Sequence, residues 1–161
     1  MKQIEIIPYD STYKQWVKDL NYEWLTAYFK VEEGDVRSLS DPDKYIIEPG
    51  GFIFLAKNED GVIGTVSLLF KEPGVYELGK MAVKIAFRGK GIGDQLLSFC
   101  IGFAKSHHWD KLVLYSNTIL QPAIHLYKKY GFVEIDLEQG LYERANIKMQ
   151  LDLNKLVGKN G

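Results

Sequence analysis

The sequence predicts a single α/β domain, a mixed sheet of about seven strands with helices on both faces. Three observations carry that expectation. The chain has 161 residues, 46% hydrophobic and 25% charged, which suits one globular core. Apolar residues recur at helical spacing in three stretches, and short runs with strand character lie before, between and after them. A glycine-rich segment, residues 88–93, joins one strand-like run to a helix-like run, the strand–loop–helix order of an α/β sheet. No repeat, linker or low-complexity segment interrupts the chain, so residues 1–155 are expected to form one domain and 156–161 a frayed tail.

Residues 3–7 read as a short strand stopped by Pro8. From 10 to 28 the apolar positions Tyr13, Trp16, Val17, Leu20, Trp24, Leu25 and Tyr28 follow a helical period, and Asp10-Ser11-Thr12 can cap the helix. The polar stretch 32–44 holds a short helix and loops, and Pro49-Gly50-Gly51 is a turn. Residues 52–56 and 62–70 are strands joined through Asn58-Glu59-Asp60-Gly61, a hairpin signal. Glu72-Pro73-Gly74 turns the chain into a third strand, 76–83. After the glycine segment comes a helix over 91–106, whose buried stripe is Ile92, Leu96, Leu97, Cys100, Ile101 and Ala104. Residues 111–115 form a strand. A helix follows over 121–130, with Pro122 in its first turn and Gly131 as its stop. Strands over 132–136 and 146–151 complete the order.

A net charge of −1 gives no basic excess for nucleic acid. A single cysteine, Cys100, rules out an internal disulfide and fits a reducing compartment; on a buried helix stripe it is a small hydrophobe rather than a nucleophile. No apolar run reaches the length of a membrane span, and Met1-Lys2-Gln3-Ile4-Glu5 lacks the apolar region of a signal peptide. The expectation is a cytoplasmic protein without nucleic-acid or membrane partners. His107-His108 closes a helix and has no third ligand nearby, so no metal is expected.

The segment Arg88-Gly89-Lys90-Gly91-Ile92-Gly93 is the most informative in the chain. Glycines let the backbone approach a ligand and turn its N–H groups inward. The following helix adds free N–H groups and the positive end of its dipole, and Arg88 and Lys90 add charge. Such a site suits a pyrophosphate. A P-loop is excluded, since no Gly-Lys-Ser or Gly-Lys-Thr occurs, and a dinucleotide fingerprint is off in spacing and position. The pattern [RQ]-x-x-G-x-[GA] fits throughout, and resembles the acetyl-CoA pyrophosphate loop of the GNAT superfamily of N-acetyltransferases. The predicted element order is also that of the superfamily, so the resemblance covers almost the whole chain.

A second segment supports it. Asn117, then Ala123-Ile124-His125-Leu126-Tyr127-Lys128-Lys129-Tyr130-Gly131-Phe132, resembles the GNAT pattern N-x(n)-A-x-x-L-Y-x-K-x-G-F. The resemblance implies that Asn117, with Ala123 nearby, contacts the pantetheine arm, and that the Tyr127 hydroxyl faces the thioester sulfur. A phenol of pKa ~10 can protonate a departing thiolate; the structural alternative is that Tyr127 fills a core. For the strand 76–83 the resemblance implies a splayed edge near a bulge. There Met81, Ala82 and Val83 would pair with pantetheine and orient the carbonyl. Alternation along that strand predicts that Glu77, Gly79 and Met81 share a face. Glu77 stands four residues before Met81, where several GNAT enzymes carry a glutamate, and is the candidate general base; a solvated or Lys80-paired glutamate is the alternative.

The acceptor side is less diagnostic. Trp24, Tyr28 and Phe29, followed by Glu32, Glu33 and Asp35, would suit a cationic amine through cation–π contact and ion pairing. Tyr142-Glu143-Arg144 could also face the acceptor, with Arg144 gripping an acceptor carboxylate bidentately. The reading is therefore an N-acetyltransferase moving acetyl from acetyl-CoA, a co-substrate, directly to a primary amine of a small molecule, peptide or protein. A non-catalytic acetyl-CoA-binding module and a nicotinamide-dependent oxidoreductase domain remain as rivals. Family members are often dimers, so a homodimer is a further expectation.

Overall fold

The computed structural model describes residues 3–138 and 140–154, and the expected tail at 156–161 lies outside them. Strands β1 (Glu5–Pro8), β2 (Phe52–Asn58), β3 (Gly61–Glu72), β4 (Val75–Val83), β5 (Lys111–Ser116), β6 (Val133–Ile135) and β7 (Ile147–Asp152) form one sheet. Their order is β1-β2-β3-β4-β5-β7-β6. Every neighbouring pair is antiparallel except β4–β5, which is parallel. A parallel pair needs a crossover, supplied here by the helix that follows the glycine segment.

Helices α1 (Lys14–Tyr28) and α2 (Glu33–Ser40) precede β2; α3 (Ile92–Ser106) joins β4 to β5, and α4 (Gln121–Lys129) follows β5. The start of α1 is tighter than expected, because Ser11–Tyr13 forms a 3-10 turn first. Asp10 caps that turn, its carboxylate accepting from Thr12 N at 2.8 Å. Glu32 and Asp35 close a capping box at the start of α2, and a π-helical turn at Asp43–Ile47 occupies the rest of the polar stretch.

Two apolar layers flank the sheet. On one face α3 buries all six predicted stripe residues against β2, β3 and β4. At Gly64 an added Cβ would stand 3.3 Å from both Ile92 and Leu96, so the absent side chain lets the start of α3 seat closely on β3. Tyr76 and Trp109 stack at the other end of this core, ring centroids 3.5 Å apart. On the opposite face α1 and α2 pack Val17, Leu20, Leu25 and Leu39 over Ile53, Leu55, Val62 and Ala82. Each of these valine, leucine and isoleucine side chains contributes about 1.5–3 kcal/mol on burial. Cys100 is buried, and burial pushes its thiol up to about 12. No helix among the described residues is long and apolar enough to cross a membrane.

Candidate active site

The site begins with a break in the sheet. Strands β4 and β5 pair at only three positions, from Val75↔Lys111 to Glu77↔Val113, and then part. The cause is a bulge in β4. On β3, Thr65 faces Ala82 and Ser67 faces Gly79, so Lys80 and Met81 together oppose Val66. Lys80 takes a φ of 52°, rare for a side-chain-bearing residue, and such a bulge bends and twists its strand. The bulge also corrects the expected alternation. Glu77 and Gly79 stay on the α1 face, but Met81 is shifted to the α3 face, where it packs against that core, and Ala82 takes the α1 side.

A groove of about 780 Å³ fills the opening, with Gly79, Met81 and Val83 on one wall and Tyr115, Ser116 and Asn117 on the other. Arg88, Gly89, Gly91, Ile92 and Gly93 line one end. Gly89 and Gly91 have φ of 75° and 80°, and an added Cβ at either would meet nothing within 4 Å. Backbone conformation, not crowding, therefore requires glycine at both. Gly91 is the N-cap of α3, so the loop delivers the helix's free N–H groups to the groove. Arg88 is fixed by three contacts: Nε donates to Val83 O at 3.4 Å, Nη1 donates to the Tyr28 hydroxyl, and the guanidinium lies 4.8 Å over the Tyr28 ring. Its Nη2 is buried without a partner. A buried unpaired donor is costly and would be relieved by an anionic oxygen. Lys90 is exposed over Phe87 and is not part of the groove wall. Ala82 is buried beneath α1, so only its backbone is near this edge.

The helix α4 supplies the facing wall with Ala123, Leu126 and Tyr127. Tyr127 packs edge-on to Phe132, and burial pushes its hydroxyl up to about 12, so it remains a neutral acid through the physiological range. Asn117 closes the end of β5. Its Nδ2 donates to Arg144 O at 2.8 Å and its Oδ1 accepts from Ile119 N at 3.0 Å, which fixes the loop beside the groove.

The other end of the groove is built from buried ions. Glu77 is 3% exposed, not the solvated strand-end residue that the sequence left open. Its Oε2 accepts from the Tyr142 hydroxyl at 2.8 Å. Its Oε1 lies 3.1 Å from Lys71 Nζ but without the alignment of a hydrogen bond. Arg144 does not present a free fork to an acceptor. It donates to Asp35 through both Nη atoms, at 2.8 and 2.9 Å, and to Glu32 at 2.8 Å. Burial opposes ionisation of Asp35, yet the Arg144 hydrogen bonds and charge prevail and hold its carboxyl below the usual range. Glu32 thus serves α2 and Arg144 and lines a separate, smaller cavity. Trp24, Tyr28 and Phe29 do line the groove, with Tyr28 committed to Arg88. Burial pulls the Lys80 ammonium down; it lies 3.7 Å from Asp35.

The sequence points to the loop, Asn117, Tyr127, Met81 and Glu77, and the groove collects all of these except Lys90 of the loop. The sequence does not point to Lys71 or Tyr142 as partners of Glu77, or to Lys80 as a groove residue. A strand residue with positive φ leaves no mark in the sequence; the tyrosine of Tyr142-Glu143-Arg144 did stand out as an acceptor-side candidate.

The family model described as the acetyltransferase (GNAT) family matches residues 12–132. The chain is 32% identical over 115 residues to streptothricin acetyltransferase A of Bacillus subtilis (strain 168), covering 71% of this chain and 64% of that protein. It is 33% identical over 96 residues to N-acetylaspartate synthetase of Homo sapiens, covering 58% of this chain and 32% of that one. The chain thus spans less than two thirds of either relative. A crystal structure of a GNAT-family acetyltransferase from Staphylococcus aureus Mu50 superposes with a TM-score of 0.83 at 25% identity, over 94% of this chain and 99% of the other.

Proposed function

We propose, since this chain belongs to the acetyltransferase (GNAT) family, that it moves an acetyl group from acetyl-CoA directly to an amine. The observation that carries this reading is the parted β4–β5 edge. It sets a pyrophosphate-type loop, an open backbone edge, a neutral phenol and a buried carboxylate along one groove. The two named relatives take their names from unlike acceptors, a streptothricin and aspartate, so neither fixes the acceptor here.

In this reading acetyl-CoA is a substrate, and the chain's residues do the following. Gly89, Gly91 and Gly93, with the N-terminus of α3, hold the pyrophosphate, and the unpaired Nη2 of Arg88 adds a charge-assisted donor. Backbone groups of Met81 and Val83, freed where β5 leaves, pair with the pantetheine arm as a further strand does. An N–H of the same edge, aimed at the thioester oxygen, stabilises the charge that develops there. Glu77, oriented by Tyr142, accepts the amine's proton directly or through water. Tyr127 protonates the departing sulfur, and a hydroxyl with pKa pushed up to about 12 still carries its proton at neutral pH.

The test is calorimetric titration of acetyl-CoA, with NADH and ATP in parallel, followed by thiol release across a panel of amines. Selective acetyl-CoA binding with amine-dependent thiol release is expected. Binding of NADH or ATP instead would overturn the loop assignment, and acetyl-CoA binding with no thiol release from any amine would leave a binding module rather than an enzyme.

A further inference from the structure

The carboxylates beside the groove's acceptor end already have partners. Glu32 accepts from Arg144 and from the backbone N of Glu143. Asp35 accepts from both Nη atoms of Arg144 and from the backbone N of Glu32. Glu77 is held by Tyr142 and faces Lys71. Of the three, only Glu77 keeps an oxygen, Oε1, without a hydrogen bond; once the reacting amine takes it, an acceptor with a second ammonium would find no further free carboxylate among them.

Lys80 is in the opposite condition. Its side chain is 11% exposed, and the one ionic partner it has among the described residues is Asp35 Oδ1 at 3.7 Å, beyond hydrogen-bond distance. Asp35 already has three shorter bonds. An ammonium has three donors, so this one is underused. It lines both the groove and the smaller cavity of about 310 Å³, and Asp35 and Tyr142 also belong to both walls. It stands three residues beyond Glu77 on β4, at the bulge that opens the groove.

We infer that the acceptor is an amine that also carries a carboxylate, and that Lys80 receives the carboxylate while Glu77 faces the amine. This rests on the acetyltransferase reading above. A carboxylate would supply the acceptor oxygens that Lys80 lacks and strengthen a cation that burial weakens. The smaller cavity leaves room for the rest of the molecule, with apolar walls from Ile46, Pro49, Leu69 and Leu141. Polyamines are disfavoured twice, by the absence of a second free carboxylate oxygen among these three beyond Glu77 Oε1 and by the charge of Lys80 itself.

The experiment measures thiol release with matched acceptors: amino acids of differing side chain, β-alanine and γ-aminobutyrate, each beside its amide and the corresponding amine without the carboxyl, and spermidine. Rates are corrected for the fraction of free amine. The carboxylate member of a matched set should lead in kcat/KM by about 10- to 100-fold, the worth of one charge-assisted hydrogen bond. Lys80→Met should shrink that ratio toward one, with the loss in KM, and Lys80→Arg should keep most of it. The wild-type panel stands without either variant. Preference for the amides, the bare amines or spermidine would overturn the inference, as would thiol release with other amines but with no carboxylate-bearing one. A protein that fails to bind acetyl-CoA by calorimetry, or binds it and releases thiol with no amine at all, overturns the acetyltransferase reading itself, an outcome separate from the others.

Discussion

At the α3 end of the groove the lining is mostly backbone, Gly89, Gly91 and Gly93 with the first turn of a helix, and it is contiguous in sequence. At the α2 end it is side chain: Glu77 from β4, Asp35 from α2, and Tyr142 and Arg144 from the loop before β7, joined by buried ion pairs. The first end derives its charge preference from dipoles and N–H groups that any sequence with the right glycines can present. The second must hold desolvated charges in place, and every member depends on a partner far along the chain. The first end should therefore fail on backbone changes and on loss of its one inserted side chain, that of Arg88, and tolerate changes elsewhere, whereas the second depends on side chains throughout.

The largest effect should come from the second end. Arg144→Ala leaves Glu32 without its cation and Asp35, 3% exposed, with only the more distant Lys80 at 3.7 Å. Removing one partner of a buried pair costs about 3–5 kcal/mol, which for a chain of this size lowers Tm by roughly 10 °C. Denaturant and thermal unfolding would read it, and a change below about 1 kcal/mol would show that this end is not held as described. The same pair gives a pH signature. The Asp35 carboxyl is held below the ordinary aspartate range, so its contribution is full above the unfolded value near 4 and declines as pH falls through the folded one. Unfolding free energy measured from pH 6 to 2 should drop more steeply for the wild type than for Arg144→Ala; parallel curves would refute the assignment.

Between the two ends lies the proposed chemistry. Tyr127→Phe should lower kcat by about 100-fold or more while acetyl-CoA affinity from calorimetry stays unchanged, because it removes a proton donor and little contact area. An unchanged kcat would take Tyr127 out of the reaction. At the α3 end Arg88→Glu should weaken acetyl-CoA binding by about 10- to 100-fold, with a smaller effect on kcat. Gly91→Ala forces a side chain into φ of 80° at the helix N-cap, and a cost of about 1–2 kcal/mol should show in stability and in cofactor affinity. Lys90→Ala, by contrast, changes an exposed cation and should alter affinity far less than Arg88→Glu.

The two ends also differ in how they could be read from sequence. The six residues from Arg88 to Gly93 carry their meaning locally, since glycine placement and a following helix suffice. The α3 stripe and the succession of strands and helices along the chain were equally legible, because periodicity reports burial. The bulge was not: Lys80 is an ordinary strand residue by composition, and it takes φ of 52° because β3 and β4 must shift register. One extra residue there moved Met81 to the other face, which alternation alone cannot foresee. Arg144 and Glu32 read as free groups for an acceptor because their mutual pairing spans more than a hundred residues, a separation that no local pattern encodes.

The smallest effect expected sharpens the same contrast within one kind of interaction. Asp94, in the first turn of α3, accepts from Lys129 Nζ at 2.7 Å and from the Tyr130 hydroxyl, and Lys129 holds its carboxyl below the usual range. The bond is as short as those of Arg144, but the Lys129 side chain is 61% exposed and water screens it. Lys129→Ala should leave the unfolding free energy close to the wild-type value, against a loss of several kcal/mol for Arg144→Ala. If the two losses proved equal, burial would not be what separates the ends of the groove, and the dependence of the acceptor side on desolvated pairs would have to be abandoned.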